Sequence, residues 1–201
     1  MKSNKVSKPS GLPIQSDNDI LEQIRRGDAR KYSIIVDRHK NQAYALAFRL
    51  VGEKREAEEL VQDGFVRAFR NLDQFRGDAR FSTWLYRIVY NLCMTRVTRR
   101  QPRPDSIDIN EEMLDNIFVD EEMGADERME TDEYNRMIAE EIQQLPEKFK
   151  SAVTLFYLQE MSYEEMTGIL NLPLGTVKTN LFRGRNLLRE RVLSRLKGEL
   201  V

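Results

Sequence analysis

The uneven distribution of charge along this chain is the feature that most constrains its fold. Its 201 residues include 32 basic and 33 acidic side chains, so the formal net charge is only −1. Residues 1–104 hold 21 basic and 12 acidic residues, residues 105–135 hold 1 and 13, and residues 136–201 hold 10 and 8. Like charges without regular apolar spacing repel one another and keep a segment extended. The pattern therefore predicts two domains joined by an acidic flexible linker.

We place four segments on this basis: a flexible N-terminal extension at 1–18, a first domain at 19–104, the linker at 105–133 and a second domain at 134–201. A solvated spacer is the simpler interpretation of the linker. Basic domains on both sides of it, however, favour a polyanionic partner such as nucleic acid.

Both predicted domains have the apolar spacing of helices. In the first domain, apolar residues recur at steps of three and four over 32–50 and again over 57–72. A third helix is expected to begin near Ser82, as its N-cap, and to run toward Arg99. No segment alternates apolar and polar residues between Gly-rich turns, as a sheet would require. We therefore predict an all-α chain.

Composition argues against several classes of protein. The longest apolar run, 43–48, is far shorter than the roughly 20 residues of a membrane span, so a cytoplasmic protein without stable membrane insertion is expected. The single cysteine, Cys93, excludes an internal disulfide, and with the single histidine, His39, it makes a poor zinc site. We expect both side chains to pack in the core, and we predict no metal or cofactor.

Aromatic and basic residues concentrate at the end of the first domain. Seven of the chain's 17 aromatic residues lie within 65–90, and five arginines follow within 87–103 without an acidic residue among them. Unpaired bases stack on aromatic faces for roughly 1–3 kcal/mol each, while cations follow the backbone. The polar loop at 74–81 could read a flipped base. Any one aromatic residue is more simply assigned to the core, but the cluster with its arginines favours single-stranded nucleic acid.

The second domain carries a helix-turn-helix pattern. Ser162 and Glu165 fit a capping box at the start of a short helix, the residues 171–175 break it, and a second helix is expected from about Thr176. Between 176 and 197 there are seven basic residues and one acidic residue. Arginine pairs with guanine in a major groove, asparagine with adenine, and apolar groups with the thymine methyl. A solvated basic helix is the alternative, but the preceding turn favours duplex DNA.

Four ordered motifs carry a resemblance to a known family. They are AEELVQDGFVRAF at 57–69, FSTWLYRIVYN at 81–91, LPEKF at 145–149 and GTVKT at 175–179. With them the chain resembles bacterial sigma factors of the extracytoplasmic-function (ECF) group in the sigma-70 family, which keep only the second and fourth sigma domains. Gly64 departs from the family pattern, in which a helix-favouring residue is common, and the N-terminal extension and linker follow no shared pattern.

The resemblance implies a subunit that directs core RNA polymerase to promoters and catalyses nothing itself. It implies binding to the clamp helices of core RNA polymerase through Glu58, Glu59, Gln62, Asp63, Arg67 and Arg70. It implies contacts to the minus-ten element, as its strands separate, through Phe75, Arg76, Asp78, Arg80, Trp84, Arg87 and Asn91. It implies contacts to the duplex minus-thirty-five element through Thr176, Lys178, Thr179, Asn180, Phe182, Arg183 and Arg185.

The resemblance further implies an anti-sigma factor as a partner, often bound at the membrane, and a linker that lies near the RNA exit path of the polymerase. Two other classes stay open from the residues alone. A stand-alone helix-turn-helix regulator would explain the second domain and would bind its operator without polymerase. A small nuclease would need carboxylates clustered around a metal.

Overall fold

The computed structural model describes residues 15–100 and 130–198, and within these ranges all regular structure is helical, as predicted. The predicted linker lies almost entirely outside them, as does most of the predicted N-terminal extension. The described helices are α1 (Asp17–Arg25), α2 (Tyr32–Val51), α3 (Lys54–Arg70), α4 (Phe81–Arg100), α5 (Glu130–Gln143), α6 (Glu147–Val153), α7 (Tyr163–Leu170) and α8 (Leu174–Leu196). In this part of the chain no helix is both long and apolar enough to cross a membrane.

The helices α2, α3 and α4 form the core of the first domain. Most of the periodic apolar positions of α2 and α3 are buried, which confirms the helices predicted from their spacing. Gly52 ends α2 with a left-handed backbone, φ +76°, that favours glycine. The next residue, Glu53, caps α3 by accepting hydrogen bonds from the backbone N–H of Arg55 and Glu56 at 2.9 and 2.7 Å. The tight turn therefore makes α2 and α3 antiparallel neighbours.

Glycine sets the approach of α3 to α4. A Cβ atom built on Gly64 would lie 2.7 Å from Cγ2 of Val89, closer than two such carbons can pack. This contact gives a physical reason for a glycine in the middle of α3, although glycine lowers helix propensity by about 1 kcal/mol relative to alanine. The residue that departs from the family pattern is therefore fitted to its neighbour on α4.

The helix α1 was not predicted, and it begins inside the segment assigned to the N-terminal extension. Ser16 is its N-cap: the Ser16 hydroxyl accepts from the Asp19 N–H at 3.2 Å, and the Asp19 carboxylate accepts from the Ser16 N–H at 3.1 Å. Its apolar residues Ile20, Leu21 and Ile24 are buried against the first domain. The capping pair with aspartate in place of glutamate, followed by these apolar residues, is the signal that could have predicted it.

The predicted starts of two helices were wrong by one or two residues. The first turn of α4 is closed by a hydrogen bond from the Trp84 N–H to the Arg80 carbonyl at 3.2 Å, so the helix begins at Phe81 and Ser82 lies inside it. Burial of the Phe81 ring anchors this start. Likewise, the Val177 N–H donates to the Pro173 carbonyl at 3.0 Å, so α8 begins before Thr176.

The second domain packs α8 against α6, α7 and α5. A Cβ atom on Gly184 would lie 2.9 Å from Cγ2 of Val153 and 3.1 Å from Cβ of Phe149, so α8 and α6 are in close contact there. Farther along α8, Arg191 and Arg195 donate hydrogen bonds to the buried carboxylate of Glu141 on α5, at 2.8 and 3.0 Å. The two domains also touch directly, mainly through α4 and α7.

Candidate nucleic-acid and protein interfaces

An aromatic cluster lies where the loop at 74–81 meets α4. The ring centroids of Phe75, Phe81 and Trp84 are 5.5, 5.5 and 5.7 Å apart in the three pairs. Phe81 is buried, whereas Trp84 is half-buried and retains an accessible part of its ring. The cluster therefore fixes the indole of Trp84 against the first domain while leaving part of it open to a stacking base.

Phe75 is a correction to the predicted set of minus-ten contacts. Its side chain is only 5 % exposed, because its ring packs edge-on against Phe81 and tilts against Trp84. A ring enclosed in this way has no free face for a base. We therefore assign Phe75 to the support of Trp84 and take it out of the proposed contact set.

The loop after Phe75 is exposed and is held at its base by α1. The guanidinium of Arg25 donates to the carbonyl of Leu72, at 2.9 Å, and to the carbonyl of Phe75. The turn itself uses Gly77, whose φ of +82° is a left-handed conformation. The predicted loop residues Arg76, Asp78 and Arg80 are all exposed on it. Sequence analysis missed Arg25, and only the unpredicted helix α1 could have suggested it.

The structure places Arg87 and Asn91 on the exposed side of α4, one turn apart and in line with Trp84. The two side chains continue the surface that begins at the loop. Together with Trp84 they present cationic, amide and aromatic groups on adjacent turns. Such a set can hold a strand by its phosphates and its bases at once.

Two arginines of the predicted basic run are already paired within the protein. Arg96 and Arg100 each place a guanidinium nitrogen within 2.9 and 2.8 Å of the carboxylate of Glu56 on α3. Glu56 is 3 % exposed, and burial of a carboxylate is costly unless it is paired and hydrogen-bonded. Arg87 and Arg99 remain exposed and form no ion pair among the described residues. The basic run is thus partly a structural clamp between α3 and α4.

The polar side of α3 forms a second candidate surface. All six residues predicted to bind core polymerase are exposed on it: Glu58, Glu59, Gln62, Asp63, Arg67 and Arg70. Among the described residues, Glu59 alone of the six forms an ion pair, with Arg55 at 3.2 Å, and both partners are exposed. Exposed ion pairs of this kind contribute at most about 1 kcal/mol to folding stability. A protein that binds this surface could therefore replace the pair at little cost.

Two apolar side chains interrupt this polar face, and sequence analysis did not select them. Val66 is 47 % exposed and Phe69 is 41 % exposed. The Phe69 ring lies 4.8 Å from that of Tyr32, centroid to centroid, beside a shallow groove that Tyr32 and Val36 also line. Val66 falls outside the apolar stripe predicted for α3, and that position was the available signal; Phe69 was predicted as part of the stripe, and its exposure was not expected. Together with the polar residues, they give α3 the mixed character of a protein-binding surface.

The third surface is the N-terminal half of α8, which follows α7 in a helix-turn-helix. Ser162 and Glu165 form the predicted capping box, with the Glu165 N–H donating to the Ser162 hydroxyl at 3.2 Å and the Ser162 N–H donating to the Glu165 carboxylate at 3.0 Å. The helix α7 ends at Leu170, and the next residue, Asn171, is its C-cap with a left-handed φ of +55°. This confirms the predicted motif and turns α8 outward from α7.

The predicted contact residues on α8 differ in accessibility. Thr176 and Lys178 are exposed, while Thr179, Phe182, Arg183 and Arg185 are half-buried. Asn180 is only 8 % exposed, so its amide presents little of itself to a groove. The Thr179 hydroxyl donates to the Gly175 carbonyl at 2.8 Å, and the Lys178 ammonium lies 5.5 Å from the Tyr163 ring centroid.

His39 and Cys93 both pack in the core, as expected. The Nε2 atom of His39 lies 2.7 Å from an Asp17 carboxylate oxygen, and its Nδ1 lies 3.4 Å from the Tyr86 hydroxyl. This network ties α1 to α2 and α4. Cys93 is fully buried, and burial raises the pKa of its thiol to about 12. The thiolate needed for redox chemistry is therefore disfavoured at this position.

Comparison with known protein families matches both domains. Residues 35–103 match the family described as Sigma-70 region 2, and residues 135–188 match Sigma-70, region 4. Among curated proteins, the chain is 36 % identical over 178 residues to the ECF RNA polymerase sigma factor SigW of Bacillus subtilis, covering 86 % of this chain and 94 % of that protein. It is 34 % identical to the RNA polymerase sigma-H factor of Pseudomonas aeruginosa, covering 87 % and 92 %.

Solved structures show the same fold at lower identity. CnrH, in complex with the cytosolic domain of CnrY, aligns with a TM-score of 0.62 at 24 % identity and covers 88 % of this chain and 96 % of its own. The sigma factor RpoE from Bartonella quintana, in complex with the anti-sigma factor NepR, aligns with a TM-score of 0.60 at 20 % identity and covers 81 % and 97 %. The arrangement of helices described above is therefore shared with these proteins.

Proposed function

Because this chain belongs to the sigma-70 family, as an RNA polymerase sigma factor of the ECF group, we propose that it acts as a non-catalytic specificity subunit with three separate contact surfaces. One surface binds core RNA polymerase, one holds the opened minus-ten element, and one reads the duplex minus-thirty-five element. The observation that carries this proposal is that one chain combines two features. The first is the half-exposed Trp84, which packs on neighbouring rings beside cationic side chains, and the second is the helix-turn-helix of α7 and α8.

The exposed side of α3 is the proposed docking surface for the clamp helices of core polymerase. Its charged residues give orientation and its exposed Val66 and Phe69 give apolar contact area. Reversing one charge, Asp63→Lys, should weaken binding to purified core polymerase several-fold. Glu22→Lys, a reversal at another exposed site on α1, is the matched control and should leave binding unchanged. Equal weakening by both variants would count against a local surface on α3.

The loop at 76–80 and the adjoining face of α4 form the proposed minus-ten surface. Its contacts are Arg76, Asp78, Arg80, Trp84, Arg87 and Asn91. Bases released from the duplex stack on Trp84, while Arg87 and the loop arginines hold phosphates and Asp78 and Asn91 offer hydrogen bonds to base edges. The protein thereby traps the open strand by binding it more tightly than the closed duplex.

The Trp84→Ala variant tests this surface. Loss of one stacking platform, worth roughly 1–3 kcal/mol, should lower promoter opening by about 5-fold to 150-fold while core binding stays intact. Opening is measured by permanganate reactivity of promoter thymines. Tyr157→Ala, which truncates an exposed aromatic residue of the second domain, is the control, and far-UV circular dichroism verifies the fold of both variants. Normal opening with Trp84→Ala would refute the role of the indole.

The N-terminal half of α8 is the proposed minus-thirty-five reader. Thr176 and Lys178 are its exposed candidates, and Thr179, Phe182 and Arg183 are half-buried ones. Arg185, also half-buried, follows as a phosphate contact, and Asn180 contributes only through what remains exposed of it. Arg183→Ala should relax discrimination at one base pair by roughly 1–3 kcal/mol. Arg189→Ala, farther along the same helix, is the control. If Arg183→Ala instead lowered the affinity equally for all minus-thirty-five sequences, Arg183 would be a phosphate contact.

A stand-alone regulator is the alternative, because a helix-turn-helix can act without polymerase. Promoter binding and transcription, each measured with and without core polymerase, separate the two functions. Specific binding that needs no core polymerase would favour the regulator. Transcription that starts at the promoter only when this chain and core polymerase are both present supports the sigma function. That function would be carried out in the cytoplasm, where polymerase works.

We also propose that an anti-sigma protein is a partner of this chain. The support is the shared fold with the sigma factor RpoE, whose structure was solved with the anti-sigma factor NepR, and the exposed apolar residues on α3. A membrane-bound partner of this kind would hold the chain at the inner face of the membrane. The proposal is tested by pull-down from solubilised membranes with the wild-type chain or the Phe69→Ser variant as bait. We expect the wild-type chain to capture the anti-sigma partner and the variant to lose it.

A further inference from the structure

We propose that helix α1 is a functional part of the minus-ten surface, because Arg25 at its end positions the loop at 76–80 and the indole of Trp84. Arg25 is a positioning residue: it acts on the groups that bind the strand and does not bind the strand itself. The match to Sigma-70 region 2 begins at residue 35, so α1 lies outside the segment that carries the family pattern. This inference rests on the proposed function, from which it takes the minus-ten contacts.

A single nitrogen of Arg25 holds the start of the loop. Its Nη2 donates one hydrogen bond to the carbonyl of Leu72, at 2.9 Å, and another to the carbonyl of Phe75. The Leu72 carbonyl also accepts from the Phe75 N–H at 3.1 Å, which closes the short 3-10 turn before the loop. The Phe75 carbonyl belongs to the planar peptide that joins Phe75 to Arg76. Holding this carbonyl therefore fixes the direction in which the loop leaves the turn.

Helix α1 is a firm support for this guanidinium. Its apolar side is buried in the first domain. At its other end, the carboxylate of Asp17 lies 2.7 Å from Nη1 of Arg38 and 2.7 Å from Nε2 of His39, both on α2. Among the described residues Arg25 itself forms no ion pair, so no carboxylate competes with the two carbonyls for its donors. The helix therefore holds the loop from a fixed position.

The same hydrogen bonds also hold the stacking platform. The ring of Phe75 tilts against that of Trp84, with the centroids 5.5 Å apart, and lies edge-on to the ring of Phe81. If the backbone at Phe75 were released, this ring would be free to turn away from the indole. The far end of the loop is fixed by the burial of Phe81 at the start of α4. A loop that is fixed at both ends loses less conformational entropy when it binds a strand.

Three variants separate positioning from charge. Arg25→Gln removes both hydrogen bonds and the charge. Arg25→Lys keeps the charge, but its ammonium nitrogen falls short of the Nη2 position by about one C–N bond, roughly 1.3 Å. Arg26→Gln is the matched control, because Arg26 is the next residue, is equally charged and exposed, and pairs with Glu22 one turn back, at 2.9 Å.

The first measurement uses the free chain, in which Trp84 is the only tryptophan. Acrylamide quenching of its fluorescence reports how much of the indole is open to solvent. We expect Arg25→Gln and Arg25→Lys to raise the quenching constant above that of wild type, because the ring of Phe75 no longer holds the indole. Arg26→Gln should match wild type. Urea denaturation verifies that each variant is folded under these conditions.

The second measurement uses each chain assembled with core polymerase. The probe is a labelled single-stranded oligonucleotide of the minus-ten element, and the reference is a scrambled oligonucleotide of equal length. Both Arg25 variants should bind the minus-ten strand about tenfold more weakly than wild type, the effect of returning about one residue to free rotation. They should bind the scrambled strand as wild type does, since a misplaced loop loses base contacts first. Arg26→Gln should keep the wild-type ratio of the two affinities.

Three results would overturn the positioning role. The Arg25 variants could match the control in either measurement, Arg25→Lys could restore wild-type behaviour, or the loss could be equal on both oligonucleotides, which would make Arg25 a phosphate contact. Each of these leaves the proposed function standing, because wild type still prefers the minus-ten strand. The proposed function fails separately, if wild type with core polymerase binds the two oligonucleotides equally.

Discussion

Replacing Gly184 with alanine tests how closely the helix α8 approaches α6. The added Cβ would lie 2.9 Å from Cγ2 of Val153 and, on Phe149, 3.1 Å from Cβ and 3.3 Å from the backbone oxygen. The methyl of Val153 can rotate away, but Cβ and the backbone oxygen of Phe149 move only if α6 moves. The substitution therefore forces the two helices apart.

The expected magnitude follows from two opposing effects. Alanine in place of glycine favours a helix by about 1 kcal/mol, whereas overpacking a tight contact costs about 1–3 kcal/mol. At Gly184 the second effect should prevail, because backbone atoms form part of the obstacle. We expect the free energy of unfolding to fall by up to about 2 kcal/mol.

Gly168 offers a matched control within the same domain. It lies inside α7, and a Cβ there meets nothing within 4 Å, so Gly168→Ala should raise the free energy of unfolding by up to about 1 kcal/mol. Urea denaturation followed by far-UV circular dichroism measures both variants. If Gly184→Ala stabilised the protein as much as Gly168→Ala, the close contact between α8 and α6 would be refuted.

Three further predictions concern buried groups. Glu56→Gln should lower the free energy of unfolding by about 1–2 kcal/mol in urea denaturation, because charge-assisted hydrogen bonds to two half-exposed arginines of α4 are lost; an unchanged midpoint would contradict the clamp. Cys93 should not react with a maleimide in the native protein and should react fully in urea, as mass spectrometry would record, so native labelling would exclude its burial. Burial alone would raise the pKa of Glu141, but hydrogen bonds from two arginines of α8 bring this pKa below its ordinary 4.5. The ionised carboxylate therefore contributes its full stabilisation of the fold above pH 4.5, and this contribution is lost as the pH falls through the lowered pKa. The difference in unfolding free energy between wild type and Glu141→Gln should therefore shrink on acidification, and a constant difference from pH 7 to 3 would disagree.

Local patterns in the sequence were enough to predict most of the helices. The apolar stripes of α2 and α3 and the capping box at Ser162 depend on residues within a few positions of one another, and the structure confirms them. The start of α4 was misplaced because Ser82 suits an N-cap, whereas the structure begins the helix at the buried Phe81. That burial depends on the neighbouring loop, which local sequence does not describe. The helix α1 was missed because its cap uses aspartate where glutamate is usual.

Side-chain accessibility in the candidate sites could not be predicted in the same way. Phe75 and Asn180 have the residue types that nucleic-acid contacts need, yet both are buried, and residue type and helical spacing alone do not determine which such side chains are enclosed. Arg25 supports the loop at 76–80 from a helix about fifty positions earlier. The pairing of Arg96 and Arg100 with Glu56 likewise depends on how α3 and α4 cross, which periodicity leaves open.

The clamp between Glu56 and two arginines affects how DNA binding should respond to ionic strength. Each phosphate neutralised on a duplex releases about 0.9 of a bound counterion, and that number sets the slope of log affinity against log salt concentration. Arg96 and Arg100 already share an internal carboxylate, so each contributes less than a full charge to this release. The salt slope of promoter binding should therefore be shallower than the number of arginines on α4 suggests, and a larger part of the affinity should persist at high ionic strength.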